Sequence, residues 1–94
     1  MKKAILDLTG CKYPQEMHAR FQKALLFPDH YGRTWDAFWD SIMNDTEVDF
    51  IEIHGECKVA SELHNMLNKL HSILDEAKQA SLQQGWKFDY MVVD

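Results

Sequence analysis

Three short apolar runs, residues 3–8, 48–53 and 86–93, are kept apart by stretches whose apolar residues recur with a helical period. Strands separated in this way cannot pair as tight hairpins, because a helical connection of a dozen or more residues returns the chain to the same end of the sheet. The order β-α-α-β-α-β therefore predicts an α/β fold: a three-stranded parallel sheet with right-handed crossovers, packed with three to four helices. Ninety-four residues make a single domain spanning 1–94, able to bury roughly 60–65% of its unfolded surface without staples.

The helical stretches carry their own start and stop signals. Pro14 suits a first helical turn, Met17, Phe21, Ala24 and Leu25 follow at i, i+4, i+7 and i+8, and the helix is expected to end near Phe27, stopped by Pro28. Thr34 can cap a second helix whose Trp35, Phe38, Trp39 and Ile42 form one apolar stripe. A long third helix runs from Leu63 through Leu70 and Ala77 to about Gln84, with an interruption possible near its start and Gly85 as C-cap.

The second helix is chemically unusual. Asp36 and Asp40 lie together on the flank of its apolar stripe, one turn apart, beside Trp35 and Trp39. Like charges at i and i+4 weaken a helix by a few tenths of a kcal/mol. The helix dipole favours Asp36 in the first turn, but its field fades before Asp40. From Asp29 to Glu56 there are eight acids and one basic residue, Arg33, against a whole-chain charge of −5. Such polarised acidity fits a basic partner surface; the plainer alternative is that these acids decorate a helix start and two loops.

Other chemistries find little support. There is no Gly-rich phosphate loop, no Gly-x-Ser-x-Gly elbow and no Cys-x-x-Cys. Asp36 and Asp40 present one surface of one helix instead of the opposed walls a two-carboxylate hydrolase needs. No enzyme, catalytic residue or cofactor is expected. An acidic patch repels phosphate, which argues against nucleic acid, and no apolar run approaches the ~20 residues needed to cross a bilayer. Asp7 falls where a signal peptide would continue its apolar stretch, so a cytoplasmic protein with Cys11 and Cys57 as free thiols is expected. Cys57, His64 and His71 recur every seven residues without the close ligand pairs of a zinc site, so no metal is expected. His18, His54, His64 and His71 read as surface or strand-end residues, whereas His30, with Tyr31, adjoins the acidic helix.

The segment Pro28-Asp29-His30-Tyr31-Gly32-Arg33-Thr34-Trp35-Asp36-Ala37-Phe38-Trp39-Asp40 resembles the signature of the barstar family, bacterial inhibitors of barnase-type ribonucleases. Glu76-Ala77-Lys78 and the C-terminal strand match the later part of the family pattern, and the resemblance covers nearly the whole chain, weakly over residues 44–62. It implies a barstar-like fold without catalysis. It also implies a monomer that binds one-to-one to a cognate ribonuclease toxin with a basic active site, with no nucleic acid or membrane partner. By match to the motif, Asp40 would take the phosphate position among the enzyme's cations, Asp36 would pair with a further Arg, and Glu76 would add a peripheral salt bridge. Tyr31 and His30 would pack against the rim and Thr34 would offer a hydrogen bond. With Trp35 and Trp39, the latter equally able to prop the helix from behind, these make up the expected toxin-binding set. The pattern departs from the family at His30, which replaces an aromatic residue, and in the loop over residues 43–47, which lacks a Trp; both imply a different cognate enzyme. Barstar-like domains also serve as immunity proteins against nuclease toxins passed between bacteria. The chief alternative is a barstar-fold adaptor that binds another basic protein surface without inhibiting catalysis.

Overall fold

The computed structural model describes residues 2–44 and 46–93. The chain runs β1 (Lys3–Asp7), α1 (Pro14–Leu25), α2 (Trp35–Asn44), β2 (Phe50–His54), α3 (His64–Gln83) and β3 (Asp89–Val92), with two 3₁₀ turns, Glu56–Lys58 and Ser61–Leu63, leading into α3. The strands form one parallel sheet in the order β1-β2-β3, with Ala4 beside Ile51 and Ile51 beside Tyr90. The expected α/β architecture is what the chain adopts.

Most element ends fall within a few residues of expectation, and three of the differences trace to diverted hydrogen bonds. Helix α1 stops at Leu25 because Leu26 turns left-handed and the Phe27 N–H reaches back to the Gln22 carbonyl at 3.1 Å. Strand β2 begins two residues late, since the Val48 N–H bonds the Thr46 hydroxyl at 3.2 Å. Strand β3 begins three residues late: the Trp86 N–H goes to the Ser81 carbonyl at 3.0 Å and the Phe88 N–H to the Ser81 hydroxyl at 3.2 Å. These amides complete the end of α3 before the chain is free to join the sheet.

Burial alternates along β1 and β2. Ala4, Leu6, Ile51 and Ile53 point into the core, while Lys3, Ile5 and Asp7 stand exposed and Phe50, Glu52 and His54 are half-buried on the opposite face. Parallel sheets usually have both faces covered. Here the outer face is dressed instead by a bridge in which Glu52 accepts from Lys3 at 2.7 Å and pairs with His54 at 2.6 Å. Fully buried Phe21, Phe38, Phe88, Leu6, Leu70 and Leu74 knit the helices to the inner face. Gly55, directly after β2, is irreplaceable on two counts. It has φ 82°, and a Cβ there would lie 2.6 Å from the Thr9 backbone nitrogen.

Candidate functional site: an acidic helix held by an aromatic clamp

Helix α2 begins where Thr34 places its hydroxyl oxygen to accept the Ala37 N–H at 3.1 Å, an N-cap bonded to the third helical residue. Phe38 and Ile42 point inward and are essentially fully buried. Each contributes about 1.5–3 kcal/mol, which outweighs the few tenths lost to the acid pair on the other side. The helix is therefore firm despite its charge.

The loop before α2 is fastened to α1. The Gln22 side-chain amide donates to the Pro28 carbonyl at 2.9 Å, and the Tyr31 N–H closes a turn onto the same carbonyl at 2.9 Å. Beneath the loop lies an aromatic clamp in which Phe21 meets Phe38 edge-on at 4.9 Å, Phe27 packs on Tyr31 at 4.9 Å, and His18 sits 5.0 Å from Trp35 between ring centroids.

His18 departs from expectation. It is neither on the surface nor at a strand end: it is 4% exposed, and its Nδ1 lies 2.7 Å from the Tyr31 hydroxyl. Burial, aided by the positive charge of Arg33, holds its pKa below the ordinary histidine value, so the neutral ring can accept a hydrogen bond from the phenol O–H. Tyr31 is 7% exposed, and burial pushes its phenol well above the ordinary range. Its ring braces the loop from below and has little surface to offer a rim. Position 18 falls on the same helical face as Met17, Phe21 and Leu25, and that placement was the available signal for its burial.

Asp36 and Asp40 are exposed on the outer side of α2. Among the described residues neither has a basic partner; Asp40 receives only the Asn44 side-chain amide at 3.2 Å. The acidity of residues 29–56 divides sharply once the fold is formed. Glu47 pairs with the Lys2 ammonium, Asp49 accepts the Lys2 backbone N–H, Glu52 engages Lys3 and His54, and Glu56 pairs with His71 at 2.6 Å. Asp45 lies outside the described residues. What remains is Asp29, Asp36 and Asp40, on the loop and the helix.

His30 is exposed beside them, while Trp35 and Trp39 are half-buried, packed against the core from the helix's inner side. Glu76 is exposed on α3, which packs against α2. It lies about 130° around α3 from the flank that directs His71, Asp75 and Lys78 at β3. The structure thus brings His30, Thr34, Asp36 and Asp40 onto one stretch of loop and helix and sets Tyr31 underneath.

The other titratable cluster is tied up internally. His71 holds Glu56 and stacks on Tyr90 at 6.3 Å, and the Tyr90 hydroxyl donates to Asp75 at 2.7 Å; burial, helped by that bond, raises the Tyr90 pKa to about 12. Cys57 is exposed in the first 3₁₀ turn and Cys11 is buried. Among the described residues no group of three or more His, Cys, Asp or Glu side chains could hold a metal ion, and no helix is long and apolar enough to cross a membrane.

Fold and face together define a class: small α/β domains that present carboxylates from a capped, rigidly seated helix. The model of one family, described as Barstar (barnase inhibitor), matches residues 1–93, and the chain belongs to the barstar family. That family comprises ribonuclease inhibitors rather than enzymes. No curated protein matches the sequence.

Proposed function

We propose that this chain inhibits a cognate barnase-type ribonuclease toxin by setting the acidic face of α2, with the loop before it, into the enzyme's active site. The observation that carries this reading is the pair of exposed carboxylates, Asp36 and Asp40, left without a cation while Glu47, Glu52 and Glu56 find Lys2, Lys3 and His71 and Asp49 accepts the Lys2 backbone N–H. A ribonuclease must hold RNA phosphates with cations, and those cations can accept carboxylates in their place. Because α2 is already capped and clamped, little ordering entropy is lost on binding.

In this arrangement Asp40 occupies the phosphate position, Asp36 pairs with a further Arg, and Glu76 adds a peripheral ion pair from α3. His30 and Thr34 meet the rim, Trp35 and Trp39 hold the helix from behind, and Tyr31 shapes the loop from within. The inhibitor is a cytoplasmic monomer that forms a one-to-one complex and needs no cofactor.

The test is RNA cleavage by a panel of barnase-type ribonucleases, barnase included, titrated with the wild-type chain and with Asp40→Ala. At least one enzyme should be inhibited, and Asp40→Ala should cost about 2–5 kcal/mol of its binding by leaving buried cations unpaired. That range is set partly by barnase and barstar themselves and is carried over from the family. Binding without loss of cleavage would put an adaptor in place of an inhibitor, and an Asp40→Ala protein that inhibits like wild type would overturn the reading.

A further inference from the structure

Among the described residues only two non-glycine positions adopt positive φ, Leu26 at 60° and Arg33 at 53°, and both line the same groove. The groove, about 450 Å³, runs between the outer side of α1 and the loop before α2, with Lys23, Phe27 and Asp29 also on its walls. Glycine would hold either backbone turn with less strain. The left-handed turn at Leu26 caps α1, yet glycine would cap it with less strain, and neither side chain is buried. Leu26 is 61% exposed, and Arg33 is exposed with no ion pair or hydrogen bond among the described residues. Residues held in sparsely populated backbone conformations cluster at active sites and ligand clamps.

The charge of the groove opposes that of the helix beside it. Lys23 and Arg33 outnumber Asp29, and Arg33 stands three residues before Asp36. A ribonuclease active site that holds RNA phosphates is cationic on balance, so it can accept Asp36 and Asp40 but repels Arg33 unless a carboxylate faces that residue. Like charges brought together at an interface suppress wrong partners.

Resting on the inhibitor reading above, we propose that this groove is a second contact site on the same face. It takes an acidic residue flanked by an apolar side chain from the rim of the ribonuclease: the carboxylate meets Arg33 and Lys23, and the apolar group covers Leu26. The acidic helix fits any barnase-type active site, and the groove selects which enzyme is bound.

The experiment measures binding of four full-length proteins to the ribonuclease panel: wild type, Leu26→Gly, Arg33→Gly and the double reversal Lys23→Glu with Arg33→Glu. Glycine suits both backbone positions, so the two glycine variants should melt at or above the wild-type temperature, and a loss of binding then cannot be unfolding. Each glycine variant should weaken the tightest-bound enzyme by about tenfold. The double reversal should weaken that enzyme more and tighten enzymes whose rims lack a carboxylate, reordering the panel. A uniform change across the panel, or none, overturns the role of the groove while leaving that of α2 intact. A wild-type chain that inhibits no enzyme, or an Asp40→Ala variant that binds all of them normally, overturns the inhibitor reading instead.

Discussion

Replacing Tyr31 with phenylalanine removes one oxygen atom and tests the clamp that seats the loop before α2. The hydroxyl lies 2.7 Å from His18 Nδ1, with the two residues 7% and 4% exposed, so no solvent stands ready to replace the bond. Tyr31→Phe leaves a buried imidazole nitrogen unpaired, which costs about 1–3 kcal/mol. For a domain of this size the middle of that range lowers the melting temperature by roughly 10 °C. His18→Phe should cost a similar amount by orphaning the phenol. The two together replace a polar pair with apolar rings of similar shape and should recover to within about 1 kcal/mol of wild type. Urea titrations of the four proteins at pH 7.5 give the coupling energy directly, and near-ultraviolet circular dichroism follows Trp35, which touches His18. A Tyr31→Phe protein melting within about 2 °C of wild type would show that the bond does not hold the loop.

His18 also sets a pH dependence. Its folded pKa lies below that of the unfolded chain, so the unfolded state takes up the proton first as pH falls; the stability is whole above about 6.5 and erodes below it. Melts from pH 8 to 5 should show this slope in wild type and less of it in the His18→Phe, Tyr31→Phe double variant; equal slopes would exclude His18 as its source. Asp36→Asn with Asp40→Asn should leave stability unchanged or raise it by a few tenths of a kcal/mol, since a like-charge pair is removed; a loss above about 1 kcal/mol in denaturant titration would make these acids structural. Gly55→Ala must meet both a positive φ and the Thr9 backbone, and should cost about 3 kcal/mol or more; a melting temperature near wild type would show that the turn at Thr9 yields. Association with an inhibited ribonuclease, followed by stopped flow, should slow steeply as salt rises while dissociation changes less; an association rate independent of salt would refute steering by Asp36 and Asp40.

Much of this protein follows from local chemistry. Apolar periodicity, Pro14, Pro28 and Gly85 set which segments are helices and strands, because covalent geometry alone dictates the periods of 3.6 and 2. Their order forces a parallel sheet. The Thr34 cap and the outward face carrying Asp36 and Asp40 are likewise legible, since both depend on neighbours within one helical turn. Only the tertiary structure decided which acids are left over: Lys2, Lys3 and His71 reach Glu47, Glu52 and Glu56 across separations of 15 to 49 residues that no local pattern encodes. It alone turned His18 and Tyr31 inward to a shared hydrogen bond and set Leu26 and Arg33 on one groove in left-handed turns. Those outcomes depend on which surfaces meet after the elements form, and packing, charge pairing and desolvation settle them together.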